Sequence, residues 1–378
     1  MLAAPSRRPS RHRRSTNRLA AVATAAAAAV LLAGCGSGSS SAGSSSAAPA
    51  ASGAAGGTAA ATLRLGYFAN VTHAAAVLGV ADGGFQKALG STKLETQVFN
   101  AGPAAIEALN AGAIDAAFLG PSPAINAYAK SKGESLRIVA GATDNGASLV
   151  VKPSITSAGQ LKGTTIATPQ LGGTQDVALR TYLAQNGLKT QTTGGSDVDV
   201  VNQDNSQTLD LFRSGQVDGG WLPEPWASRL VIDAGAKVLV DEATLWPQKR
   251  FPTTIVVVAK GYLDAHPDTV QALLTGEVAE AGVIAQDPTA AQAKINDAIG
   301  QLTGKKLSDA VMAASFKNIQ VTVDPMASTY QASGEHAVTA GLLKTAPDIQ
   351  GIFDLRLLNK VLAAAGKPAV SAASLGQE

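Results

Sequence analysis

The chain has 378 residues, 46% of them hydrophobic, 15% charged and only 4% aromatic, which is enough to fill two packed cores or one large one. Six of its 30 basic residues (Arg7, Arg8, Arg11, Arg13, Arg14 and Arg18) lie in the first 60 positions, which hold no acid, so the remainder carries 24 basic against 28 acidic residues, a net of −4. That acidic body disfavours a nucleic-acid-binding domain, and a single cysteine excludes an internal disulfide framework and a cysteine-rich zinc site.

Residues 1–35 read as an export signal. The arginines are followed by an apolar run, Leu19–Leu32, whose 14 residues fall short of the ~20 that a membrane span needs. The run ends Leu32-Ala33-Gly34-Cys35. This resembles the lipobox of bacterial lipoproteins, in which the cysteine is lipidated and becomes the new N-terminus; the alternative is a plain signal peptide with an accidental Cys35. Arg13-Arg14 leaves a twin-arginine export route open beside the general one. Residues 36–61 are almost entirely Ser, Gly and Ala, which lack the apolar surface to offset chain ordering, so they are expected to form a flexible tether. The expected location is outside the cytoplasm, lipid-anchored to the outer face of the cytoplasmic membrane, on the periplasmic or cell-wall side.

From Thr62 onward short apolar runs alternate with helical patterns. Expected strands are Leu63–Tyr67, Leu94–Phe99, Ile114–Leu119, Arg137–Ala140, Thr164–Ala167, Val198–Val201, Asp218–Trp221, Lys237–Val240 and Thr254–Ala259. Helices are expected to start near His73, Pro103, Pro123, Thr174, Ser206 and Glu224, and the chain beyond residue 260 reads as mainly helical. This alternation predicts α/β architecture with mostly parallel sheets.

An internal echo organises the body. Ala111–Leu119 is matched by Ser214–Leu222 at a constant offset of 103 residues. Each copy follows an amphipathic helix and carries Gly, Asp, an aromatic and Leu in register before a proline-bearing loop. Gly112 and Gly215 suit the left-handed residue that ends a helix. Two such units predict two α/β lobes: lobe one from 62–146 and 256–378, lobe two from 147–255. The chain is expected to cross between them near Gly146–Lys152 and Phe251–Val256, making a hinge.

These stretches resemble the substrate-binding proteins of ABC importers, in the aliphatic sulfonate/nitrate/taurine branch. The resemblance is carried by Leu65-Gly66-Tyr67 with His73-Ala74, Phe99–Pro103, Ala108–Asn126, Ala158–Thr168 with Gly172-Gly173-Thr174, and Gln207–Trp226. It implies a two-lobed periplasmic-binding-protein-like (type II) fold. It also implies a monomer that closes on a small anionic solute and delivers it to an ABC permease and its ATPase, with no cofactor, metal or catalysis. Relatives on this scaffold that cleave sulfinates use a cysteine, and none follows Cys35. No Gly-x-Ser-x-Gly elbow or Walker-type loop occurs. Two other readings stay open: a binder of a thiamine-precursor pyrimidine or another small heterocycle, and a surface sensor lipoprotein.

An anion is met by the unpaired N–H groups and dipole of a helix start. Three such starts follow strands: Gly102-Pro103, Pro121-Ser122-Pro123, and Gln170–Gln175, whose Gly173 and Thr174 the resemblance places at the ligand. Each hydrogen bond to a charged group contributes about 1.5–3 kcal/mol, so three or four reach micromolar binding, roughly −8 kcal/mol, after ordering costs. Asn70, Thr72 and His73 follow the first strand, Thr72 as a helix cap or a ligand contact and His73 as a packed residue or a donor. Glu224 stands where sulfonate binders carry a Trp-Asp-Pro; it either caps its own helix, orients a donor or pairs with the ammonium of a taurine-like solute. Trp221 and Trp226 either wall a tail or pack within lobe two.

Overall fold

The computed structural model describes residues 59–191 and 195–378; Cys35, the apolar leader and most of the expected tether lie outside the described residues. No helix among the described residues is long and apolar enough to cross a membrane.

In chain order the first sheet is begun by β1 (Thr62–Tyr67), α1 (Ala74–Ala81), α2 (Gly84–Leu89), β2 (Lys93–Val98), α3 (Gly102–Asn110), β3 (Ala116–Leu119), α4 (Pro121–Lys130) and β4 (Leu136–Asn145). The second sheet follows with β5 (Ala147–Val151), β6 (Thr165–Thr168), α5 (Thr174–Gln185), β7 (Asp199–Asn202), α6 (Asn205–Arg213), β8 (Gly219–Pro223), α7 (Trp226–Ala234) and β9 (Lys237–Asp241). The chain then returns to the first sheet as β10 (Pro252–Ala259) and continues through α8 (Lys260–Ala265), α9 (Pro267–Gln286), α10 (Pro288–Thr303) and α11 (Asp309–Asn318). It ends with β11 (Ile319–Val321), α12 (Tyr330–Thr339), β12 (Phe353–Asp354), α13 (Arg356–Ala364) and β13 (Gly376–Gln377).

The first sheet has the order β13-β12-β4-β10-β3-β1-β2, with β11 paired to β4; the second has the order β7-β6-β8-β5-β9. Each is built the same way. A parallel βαβ group (β2-β1-β3, and β7-β6-β8) is flanked by one strand running the other way, β10 in the first sheet and β5 in the second. Both antiparallel strands are the first to form after the chain arrives from the other sheet. Residues 147–151, expected as part of a crossing, are thus a strand in their own right. Only Gly146 separates β4 from β5, and Asn145 and Gly146 both adopt positive φ (59° and 77°), which turns the chain out of one sheet and into the other.

The sequence echo is a structural repeat. Gly112 and Gly215 are left-handed, with φ of 69° and 77°. The N–H of Asp115 donates to the Arg64 carbonyl of β1 and that of Asp218 to the Thr165 carbonyl of β6, both at 2.8 Å. Each carboxylate accepts in return from the same partner's N–H, at 2.8 Å for Arg64 and 2.9 Å for Thr165. The repeated Asp therefore ties the entry of β3 or β8 to its parallel neighbour and fixes the register that follows.

Side-chain alternation sorts the cores. In β5, Leu149 and Val151 join Ile166, Leu179 and Trp221 on one face of the second sheet, while Val150 joins Leu209, Phe212 and Leu222 on the other. Leu63, Leu65 and Phe118 of the first sheet share one core with Val77 and Leu78 of α1, Phe85 and Leu89 of α2, and Leu273 and Leu274 of α9.

Candidate functional site

The turns beyond the carboxyl ends of the parallel strands from both sheets meet around one cavity of about 30 Å³. The segment after β1 brings Asn70, Thr72 and His73; the turn after β2 brings Asn100 and Gly102; the turn after β6 brings Gly173, Thr174 and Gln175. Asn205 opens α6, and Thr253 and Thr254 come from the start of β10. This is the crevice where parallel α/β sheets place ligands.

Helix starts dominate it. The residues that precede α3, α4 and α5 are Ala101, Gly120 and Gly173; all three line the cavity, and none offers a side-chain cap. The preceding residues thus give these first turns no side-chain acceptor; in α3 the Ala104 N–H donates to Gln170 Oε1 at 3.3 Å, and the dipoles favour negative charge at the cavity. Gly120 is required by close approach. A Cβ there would lie 2.1 Å from Thr174 Oγ1, so the α4 start packs directly on the α5 start.

Polar atoms without protein partners collect at the same place. Thr174 Oγ1, Asn205 Oδ1 and Thr254 Oγ1 are buried and unpartnered, and all three residues line the cavity. Buried polar groups normally find partners, so this cluster is set for a guest. The guest meets no formal charge, because no Arg, Lys, Asp or Glu lines the cavity. His73 is neutral as well: burial pushes its pKa down to about 3. Its Nδ1 accepts from the Phe68 N–H at 3.3 Å, so the proton sits on Nε2 as a donor.

The Gly172–Gly173 turn is held from behind. Asp176, fully buried in the first turn of α5, accepts from the Gly172 N–H, Thr168 Oγ1 and Arg180 Nε, each at 3.0 Å. Asn202 Nδ2 donates to both Thr168 Oγ1 (2.7 Å) and Asp176 Oδ1 (3.0 Å). Arg180 neutralises Asp176, so an acid at this helix start leaves the cavity uncharged.

Of the residues expected at the site, Asn70, Thr72, His73, Gly102, Gly173, Thr174 and Gln175 reach this cavity. Pro121 and Ser122 instead line a separate space of about 20 Å³ with Glu242 and His336. Gln170 lines an open groove beside it and accepts from the Ala104 N–H at 3.3 Å, bridging the two sheets' loops. Glu224 lies outside the lining. Its buried carboxyl accepts from the Ser228 N–H (3.1 Å) and Ser228 Oγ (2.9 Å), capping α7, and from Ser315 Oγ (3.2 Å) and Asn318 Nδ2 (2.8 Å) of α11. Burial raises its pKa despite these four donors. Trp221 is fully buried and donates to Glu242 at 2.6 Å, a packing role. Asn100, Asn205, Thr254 and the supporting Asp176 were not anticipated. The available signal was position: Asn100 and Asn205 each stand between a strand end and a helix start.

Residues 56–300, well over half of the chain, match the NMT1-like family. The chain belongs to the NMT1-like family. Among curated relatives, a binding protein of Brucella abortus is 30% identical over 43% of this chain and 48% of its own length. The taurine-binding periplasmic protein of Escherichia coli is 27% identical over 55% of this chain and 61% of its own length. The chain thus spans about half the length of the first of these relatives. Among solved structures, the alkanesulfonate-binding protein of Xanthomonas axonopodis pv. citri bound to MOPS superposes with a TM-score of 0.64 at 23% identity, covering 77% of this chain and 96% of that one. The NMT1-like chain therefore has the two-lobed α/β architecture of a periplasmic binding protein.

Proposed function

We propose that this protein is the extracytoplasmic solute-binding component of an ABC importer, closing two lobes on a small organic anion with a sulfonate-type head. The observation that carries the reading is the convergence of uncharged donors and uncapped helix starts from both sheets on one cavity. Charge-free donors hold an oxyanion without offering a competing salt bridge, and the helix dipoles supply the favourable potential. Space for the head is tight: about 30 Å³ is room for roughly two water-sized groups. Asn70, Thr72, His73, Gly102, Gly173, Thr174 and Gln175 form the proposed head site, joined by Asn205 and Thr254. Lobe one, 62–146 with 256–378, and lobe two, 147–255, would hinge where β4 passes into β5 and β9 into β10. Lipidation at Cys35 would anchor the protein beside its permease. The relatives named as binding proteins support this reading over an enzymatic one, as does a neutral His73 that makes a poor base.

Titration calorimetry of the full chain against methanesulfonate, nitrate, taurine and an aminopyrimidine tests the reading. Saturable binding of an oxyanion in the micromolar range, unchanged between pH 6 and 9, is expected, because no group that titrates in that range lines the cavity. Absence of heat with every compound would end this reading, and binding of the pyrimidine alone would replace it with a heterocycle site.

A further inference from the structure

α12 belongs to one sheet by connection and is seated on a helix of the other. It lies between β11 and β12, and both of these strands pair with β4 of the first sheet. Its start is rooted in the first core, where Tyr330 is fully buried and its ring meets Phe353 of β12 edge-on at 4.7 Å. Its other end leaves that core. Ala337, and Ala340 just past the helix, pack with Val177 of α5 into a small buried cluster separate from the main core of either sheet. Leu342 and Leu343 pack against the same cluster.

Two directional contacts fix the same junction. Thr181 Oγ1 of α5 donates to the His336 carbonyl of α12 at 3.0 Å. The His336 ring meets that of Trp246, from the segment after β9, edge-on at 5.0 Å. Ser122 of α4, Val177 and Ala178 of α5, and Ser333 and His336 of α12 share the lining of the space of about 20 Å³, which is room for about one water. Helices of both sheets therefore meet closely here, and rotation of one lobe against the other must slide or break this seat.

We propose that α12 is a latch that holds the lobes together before any solute arrives, so that part of the unliganded protein is already closed. This rests on the two-lobe closure reading above and adds to it a contact that draws nothing from the solute. None of Val177, Thr181, Ala337 and Ala340 lines the 30 Å³ cavity. The latch therefore sets the fraction of the protein that is competent to bind, and leaves the contacts to a bound head unchanged.

The test is the distance between spin labels at exposed Lys130 of α4 and Lys189 beyond α5, in the full chain with Cys35→Ser, with and without methanesulfonate. It compares the wild type with Thr181→Val, which removes the bond to His336, and Ala337→Glu, which puts a charge into the cluster. Without solute, both variants are expected to gain long distances at the expense of short ones, Ala337→Glu roughly doubling the long share. Saturating methanesulfonate is expected to bring all three proteins to the same short distance. Affinity for it is expected to fall about two- to tenfold, because the competent fraction has fallen. Thr181→Val alone carries the test where Ala337→Glu does not fold. Unliganded distributions unmoved by the substitutions, or affinities equal to wild type, overturn the latch, while shortening by methanesulfonate in the wild type leaves the closure reading standing. A wild-type distribution that methanesulfonate does not change overturns both.

Discussion

Glu277 and Glu280 are buried on α9, and neither belongs to the solute site. Both oxygens of Glu277 and one of Glu280 are buried without a partner. Burial pushes Glu277 up to about 8, with Glu280 adding repulsion, and Glu280 itself up to about 7, with Asp82 adding repulsion. Both carboxyls keep their protons in the native state at pH values where the unfolded chain has released them. Stability from this source is complete below about pH 4.5, the ordinary carboxyl value, and is lost as the pH rises through 7 and 8. Denaturant unfolding should therefore show a loss on the order of a few kcal/mol between pH 5 and pH 8.5. Glu277→Gln should flatten that slope; an unchanged slope would mean that these carboxyls are not protonated in the folded protein. His73 works in the opposite way at the solute site: held near 3, it stays neutral over the same range and contributes no pH dependence to binding.

At the scale of elements, the start of α5 depends on a side chain that never meets solute. Asp176 anchors the Gly172 N–H and is itself held by Arg180, both residues being almost wholly buried. Asp176→Asn leaves the Arg180 charge without its partner, and breaking such a pair costs about 3–5 kcal/mol. Chemical denaturation should show that loss, and solute affinity should fall with it because the Gly172–Gly173 turn loosens; a stable variant with wild-type affinity would contradict the role. Asp176 was hidden in the sequence because its partners Thr168, Asn202 and Arg180 are brought together only by the β6–α5–β7 fold. The echo around Asp115 and Asp218 was legible because it is local: a left-handed glycine three residues before an aspartate that bonds the neighbouring strand's backbone. β5 was not, since Ala147–Val151 follows β4 with no turn cluster beyond Asn145-Gly146, so its apolar run read as a crossing. β12 and β13 are two residues each and carry no periodicity to read.

In the whole molecule the segments around the two sheets touch across the cleft. Trp226 of α7 bonds Asn70, Gln170 bonds the start of α3, and Glu224 enters a niche formed by Ser315 and Asn318 of α11. Each individual contact is modest, but together they span the cleft on several sides of the cavity. The cavity has room for only a few atoms, so on the proposed reading a larger solute enters as the lobes part and its binding is coupled to their closure. The cleft itself was foreseeable from the two repeated units. Its chemical character was not, because the absence of charge emerges only when loops from five strands are seen side by side. The most direct measurement is the distance between spin labels placed at exposed Lys130 of α4 and Lys189 beyond α5, in the full chain with Cys35→Ser. Addition of methanesulfonate should convert a broad distribution into a single shorter, narrower one, whereas an identical distribution with and without saturating solute would contradict an anion-driven closure of the two lobes.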